Sequence, residues 1–273
     1  MKPNPPKGTR QILVFDFDGV LCNSVHDSLM TAVNTYIQFV PDHRLPVEEP
    51  LDADRVFRFE EEHPSFFDQF SRLMPMGNFA RDYFIVIRIV EKNETDRIDD
   101  QSLFDEYKRS IPTADLTSYQ TLFYKNRSAM RENDPESWAG LLPPFPGILD
   151  AVRSLSQQFI CAIATSKDRK SVDMLLKHWG MAKYFLPDNI LDKDFAQSKR
   201  EHLTRFHEKQ RVPFSRIHFI DDKVSHLLSV KTLGVQAYLA LWGFNTEREH
   251  EIARKEGFIL LRLEELTSIG NRP

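Results

Sequence analysis

ILVFDFDGVL, residues 12–21, decides how the rest of the chain is read. Gln11 to Phe15 is a short, unbroken apolar run with β-branched and aromatic side chains. Such a run suits a strand buried on both faces, as in a parallel sheet. It stops abruptly at Asp16-Phe17-Asp18-Gly19, where two carboxylates and a glycine follow the last apolar residue.

Downstream, similar runs alternate with helical patterns. Phe159–Ala164 reads as a second buried strand, and Val172, Leu175, Leu176 and Trp179 form one helical face, with Asp168 placed to cap it and Gly180 to stop it. A helix over 196–210, a strand at Ile217–Ile220 and a helix carrying Val224, Leu227 and Leu228 follow, the last stopping near Gly234. Val235–Ala240 is a strand, 246–256 a helix, and Phe258–Leu261 a final strand. Strands alternating with helices define an α/β fold, a doubly wound parallel sheet covered on both faces.

Residues 23–141 read differently. Leu29, Ala32, Val33, Tyr36, Ile37 and Val40 fall at helical spacing, and Ser24 with Asp27 predicts a cap at their start. Tyr83, Val86, Ile87 and Val90 repeat the pattern behind Asn78, and Leu116, Tyr119 and Phe123 repeat it more weakly behind Thr113. The segment LLPPFPG, residues 141–147, is a stiff connector rather than the interior of an element. The chain therefore reads as a core domain made of 10–22 and 142–273, an all-helical domain over 23–141 inserted into it, and a flexible N-terminus at 1–9. An insertion after the first strand leaves from that strand's carboxyl end, the edge where ligands bind in open parallel sheets, so the insert is placed to cover the site.

Composition sets outer bounds. Of 273 residues, 41% are apolar and 28% charged, which excludes a disordered or fibrous chain. A net charge of -4 gives no electrostatic footprint for general nucleic-acid binding. Cys22 and Cys161 are too few for a disulfide framework and read as buried thiols. No apolar run approaches the ~18–20 residues of a membrane span, and Met1–Arg10 lacks the apolar stretch of a signal peptide. The expectation is a soluble, cytoplasmic protein with neither membrane nor nucleic-acid partner.

Polar residues stand at the ends of three predicted strands: Asp16 and Asp18, then Thr165 and Ser166, then Asp221 and Asp222. In a parallel sheet these ends share one edge and converge on one crevice. Four carboxylates there repel one another unless a cation neutralises them, and hard oxygen donors suit Mg²⁺. Thr165 and Ser166 add hydroxyls and backbone N–H groups near a helix start, a cradle for phosphate. A lysine belongs in such a site. Lys199 is best placed by spacing, with Lys167 and Lys193 as rivals. A lone aspartate after a strand ordinarily caps a turn. Three polar strand ends plus a lysine, in this order, exceed what turn chemistry requires. The nine histidines show no ligand spacing, and Arg81, Arg88, Lys125 and Arg127 read as solvated charges of the insert.

At these residues the chain resembles the haloacid dehalogenase-like (HAD) hydrolases. ILVFDFDGVL is similar to their first motif, AIATSK (162–167) to the second, Lys199 to the third and HFIDD (218–222) to the fourth, and PPFPG (143–147) matches the return from a helical cap. Among capped members it is most like the phosphoglycolate phosphatase and β-phosphoglucomutase group, with Asn23 standing where many relatives carry Asp. The resemblance implies a Mg²⁺-dependent phosphatase of a small phosphorylated metabolite. Asp16 would attack phosphorus to form an aspartyl-phosphate. Asp18 would protonate the leaving oxygen and then take a proton from water, its backbone carbonyl touching the metal. Thr165, the Ser166 N–H and Lys199 would hold the transferring oxygens. Asp222, with Asp221 directly or through water, would complete the metal shell together with Asp16. Asp18 argues against dehalogenation, which needs no proton on its leaving group. The alternatives are a phosphomutase of the β-phosphoglucomutase type, marked by a bisphosphate requirement, and a catalytically silent binding protein, marked by no turnover of any phosphate ester.

Overall fold

β1 (Ile12–Phe15) has no solvent exposure at any of its four residues. The computed structural model describes residues 11–77, 79–196 and 198–271. β1 lies inside a six-stranded sheet with β2 (Ile160–Ala164), β3 (Ile190–Leu191), β4 (Ile217–Asp221), β5 (Gln236–Ala240) and β6 (Ile259–Leu261). The order is β3-β2-β1-β4-β5-β6 and every pairing is parallel. The strand order therefore reverses between β1 and β4, the switch point at which open α/β sheets open a crevice. Register puts Phe15 opposite Ile220, so Asp16 and Asp221 leave neighbouring strands side by side.

The chain divides into two compact units, residues 11–23 with 144–271, and residues 24–143. The second unit is helical: α1 (Val25–Phe39), α2 (Ala53–Glu62), α3 (Pro64–Leu73), α4 (Asp82–Glu91), α5 (Gln101–Arg109), α6 (Thr113–Asn133) and α7 (Pro135–Gly140), with short 3₁₀ turns between them. Its centre is aromatic: Tyr83 stacks on Phe123 at 5.3 Å and Tyr119 meets Phe84 at the same separation. The predicted cap at Ser24 does not form. Ser24 occupies the N-cap position without a side-chain bond, and Asp27 turns inward instead, where it accepts from Trp138 Nε1 and pairs with Arg127. Arg127 is thus part of this unit's interior rather than a solvated charge. Asn78 and the N-terminal residues 1–9 lie outside the described residues.

In the first unit, α8 (Ile148–Leu155), α9 (Arg169–His178), α10 (Lys199–Gln210), α11 (Val224–Val230) and α12 (Glu247–Glu256) complete the helices. α8 was not foreseen. It follows the proline-rich connector directly and buries Ile148, Val152 and Leu155. Side chains of β1 alternate between faces. Ile12 and Val14 join a core with Leu203 and Phe206 of α10, Leu227 and Val230 of α11 and Ala253 of α12. Phe15 points the other way and meets the Phe185 ring edge-on at 6.1 Å. Full burial of each such side chain is worth about 1.5–3 kcal/mol, so the strand that carries the first motif is also among the best anchored. The connector returns beside its point of departure: Cys22 bridges Pro144, and Phe145 N–H donates to Leu21 O at 3.2 Å. Cys22 and Cys161 are both buried thiols, and burial pushes Cys161 up to about 12.

Candidate active site

Asp16 is the first residue past β1. Its N–H still donates to Ile220 O at 2.9 Å, so the sheet fixes its backbone, and its Oδ1 accepts from Phe17 N–H at 2.7 Å. The chain then doubles back: Leu21 N–H reaches Phe17 O at 2.8 Å and Gly19 N–H reaches Cys22 O at 2.9 Å. Gly19 has φ +78°, and a side chain there would run into the Asp222 carboxyl. Gly243 approaches the same carboxylate from the loop after β5, and a Cβ there would collide with Asp222 Cβ and Gly19 O. Two glycines thus form a cradle for Asp222, whose Oδ2 accepts from Phe244 N–H at 2.8 Å. Only a residue without a side chain fits at either point.

Lys199 opens α10, oriented by its N-cap Ser198, whose hydroxyl accepts from Glu201 N–H at 3.2 Å. A positive charge at a helix N-terminus opposes the helix dipole, so something stronger must hold it there. Its Nζ lies 2.7 Å from Asp16 Oδ1 and 3.2 Å from Asp221 Oδ2, and it donates to Ala164 O at 2.7 Å. All three ammonium protons have acceptors. Of the three candidate lysines, Lys199 meets the predicted nucleophile. Lys167 pairs with Asp18, its Nζ 2.9 and 3.0 Å from the two carboxylate oxygens. Lys193 pairs with its neighbour Asp194 at 2.6 Å. Thr165 is buried at the end of β2, and its Oγ1 accepts from Lys167 N–H at 3.0 Å, while Ser166 beside it is exposed.

The electrostatics follow from burial. Burial, aided by Asp221, pushes Asp16 up to about 6 against the pull of Lys199 and His226. Burial together with Asp221 and Asp16 raises Asp222 well above the usual carboxylate range, against Lys223 and the Phe244 N–H. Asp221 goes the other way. Burial acts to raise it, but His226, Lys199 and the Lys223 N–H hold it well below that range. For Lys199, burial works against the charge and the two aspartates outweigh it, leaving the amine above its ordinary value.

His226 is the residue that sequence reasoning missed. Its Nδ1 lies 2.9 and 3.0 Å from the two oxygens of Asp221, a contact that the spacing of the nine histidines did not reveal. Asp16, Asp221 and His226 bring potential ligand atoms within 4.8 Å of one another. The sequence signal was there in DDKVSH: α11 begins at Val224, so its first turn folds residue 226 back over the strand end. As a donor set, Asp16 and the cradled Asp222 offer hard oxygens whose mutual repulsion a divalent cation relieves, so these residues fit Mg²⁺.

The chain matches the family profile "Hydrolase: haloacid dehalogenase-like hydrolase" over residues 11–234 and belongs to that family. Among curated proteins it is 29% identical to Magnesium-dependent phosphatase 1 of Homo sapiens over 107 residues, which is 39% of this chain and 58% of that one. It is 27% identical to phosphoglycolate phosphatase of Vibrio parahaemolyticus over 129 residues, 46% of this chain and 55% of that one. The chain thus spans a little over half the length of the curated relatives it matches. Solved structures agree in fold: a haloacid dehalogenase-like protein of Streptococcus pneumoniae superposes with TM-score 0.63 at 15% identity, covering 96% of this chain and 98% of that one. A phosphoglycolate phosphatase-like protein of Lactobacillus delbrueckii does so with TM-score 0.63 at 14% identity, covering 95% and 98%. Among the described residues no helix is long and apolar enough to cross a membrane.

Proposed function

We propose that this hydrolase is a Mg²⁺-dependent phosphatase of a small phosphorylated metabolite, working through an aspartyl-phosphate on Asp16. The observation that carries this reading is the Lys199 bridge between Asp16 and Asp221 at the switch point of the sheet. The names of the two curated relatives, one called magnesium-dependent and one a phosphoglycolate phosphatase, lend support.

With a value of about 6, Asp16 is mainly carboxylate at neutral pH. One of its oxygens attacks phosphorus as the ester P–O bond breaks, and Asp18 delivers a proton to the departing oxygen. Asp18 must carry that proton beforehand, so the oxygen that takes it has to give up its contact with Lys167. Water then attacks the phosphorus, Asp18 accepts its proton, and the bond to Asp16 breaks to free inorganic phosphate. Lys199 keeps Asp16 in line and offsets charge on the transferring oxygens, joined by Thr165 and the Ser166 N–H. Asp16, Asp222 and the Asp18 carbonyl would hold the metal ion, which supplies charge neutralisation for the transferring group.

A phosphate-release screen over a panel of phosphorylated metabolites, run with Mg²⁺ and with a chelator, tests the reading. Release that needs Mg²⁺ and disappears in Asp16→Asn is the expected result. Release unaffected by that substitution would remove Asp16 as the nucleophile.

A further inference from the structure

Asp221 is surrounded by protein donors. Its Oδ1 accepts from Lys223 N–H at 2.9 Å and from His226 Nδ1 at 2.9 Å. Its Oδ2 faces His226 Nδ1 at 3.0 Å and Lys199 Nζ at 3.2 Å. A carboxylate has about four lone-pair positions, and three donors meet this one, with the His226 N–H shared between both oxygens. Because both oxygens of Asp221 are acceptors only, the proton of the imidazole must sit on Nδ1.

Asp222 differs. The Phe244 N–H engages its Oδ2, and the glycine cradle sets the angle at which the carboxyl enters the crevice. Two adjacent aspartates at the end of one strand therefore stand in unlike surroundings. One is closed off by an imidazole, an amide and an ammonium, and the other is framed by two residues without side chains.

We propose that His226 is a positioning residue: with the Lys223 amide it engages both oxygens of Asp221, so that Asp221 clamps Lys199 onto Asp16 instead of coordinating the metal ion. The chain of contact runs His226, Asp221, Lys199, Asp16. Lys199 would otherwise be free to follow its helix dipole or to swing about its four-carbon stem. The ring of His226 is about one-third exposed, at 31%, so it can be changed with little cost to the core. This inference rests on the phosphatase reading only for its kinetic arm.

The test uses the full chain and two substitutions. His226→Ala removes the donor. His226→Asn returns an N–H at the place of Nδ1. For a substrate identified by the release screen, kcat of His226→Ala should fall about ten- to a hundredfold with KM within about twofold, and His226→Asn should recover most of it. Mn²⁺ bound to the wild-type protein without substrate should show no directly coordinated nitrogen by pulsed electron paramagnetic resonance. Mn²⁺ affinity of His226→Ala should stay within about threefold of wild type, inside the range of an outer-shell change. A crystal structure of His226→Ala should show Lys199 Nζ drawn away from Asp16. A coordinated nitrogen would make His226 a metal ligand and overturn the proposal. So would unchanged kcat in His226→Ala, failure of His226→Asn to recover it, or Lys199 unmoved in the crystal. If no phosphate ester is turned over, the phosphatase reading fails, and the resonance and crystallographic results still decide the role of His226.

Discussion

Buried charge is handled in opposite ways by the two units. In the helical unit each buried acid has its own base. Asp27, with no exposure, accepts from Trp138 Nε1 at 2.9 Å and pairs with Arg127 at 2.8 Å, and Asp82 pairs with Lys108 at 2.5 Å. In the sheet unit Asp16 and Asp221 share Lys199, Lys167 is taken up by Asp18, and Asp16 and Asp222 are both pushed upward by burial and by their acidic neighbours. A closed pair of charges holds a fold together. A crowd of acids with too few bases is costly to fold and is kept where chemistry uses it.

The largest effect should come from the crowded side. Asp16→Asn is expected to lower phosphate release at least about a thousandfold, because no other carboxylate stands at the end of β1 in contact with Lys199. On the paired side, Asp27→Ala should cost about 3 kcal/mol in urea unfolding, since it removes the acceptor of the buried Trp138 Nε1 and the carboxylate paired with Arg127. A loss below about 1 kcal/mol would mean the pair is less closed than its geometry says. Saturating Mg²⁺, at about 100 times its Kd, should stabilise the wild-type chain by about 2.7 kcal/mol, and the Asp222→Asn variant by far less. The same Asp222→Asn change should leave the metal-free protein as stable as wild type or about 1 kcal/mol more stable, because it removes a charge that burial disfavours. Destabilisation as large as that of Asp27→Ala would erase the contrast between the units.

The smallest expected effect is a pH dependence set by a histidine away from the site. His218 is buried on β4, with Nδ1 at 3.0 Å from the Tyr238 hydroxyl and Nε2 at 2.9 Å from Gln11 Oε1, and burial pushes it down to about 4. Its folded value lies below its unfolded value, so the unfolded chain takes up the proton first as pH falls. Stability from this group is complete above about pH 6.5 and is lost progressively toward pH 4. His202, pushed down to about 4 by burial and then Lys199, acts in the same direction. The urea midpoint should drop between pH 7.5 and 5.5, and His218→Gln should remove about 1 kcal/mol of the accompanying loss in unfolding free energy.

Much of the sheet unit was legible because its strands are apolar on both faces and break at polar ends. β1, β2, β4, β5 and β6 appear in the sequence as runs, each within a residue or so of where it folds. β3 escaped because two residues, Ile190 and Leu191, are too few to show a period. α2, α3 and α5 escaped although each is amphipathic, because helices of nine or ten residues span under three turns and repeat the apolar spacing too few times to stand out. At the site, Asp16 and Lys199 could be paired from the order of motifs alone. The bidentate grip of Lys167 on Asp18 and the imidazole behind Asp221 could not. Both depend on how a turn and a short helix fold back over the ends of the strands, which is a matter of three-dimensional reach rather than of spacing. The turn at Ser24 shows the converse: a pattern that reads as a local cap was overridden by the partners Asp27 finds inside the unit.

A phosphoryl group carried on Asp16 can be detected directly. Wild-type protein turning over a phosphate ester with Mg²⁺ is acid-quenched within one catalytic cycle and treated with borohydride, which reduces an acyl phosphate to an alcohol, and its peptides are sequenced by mass spectrometry. The reduced residue is expected at position 16 and nowhere else. Steady turnover with position 16 unmodified, or with the mark on Asp18, Asp221 or Asp222, would contradict it.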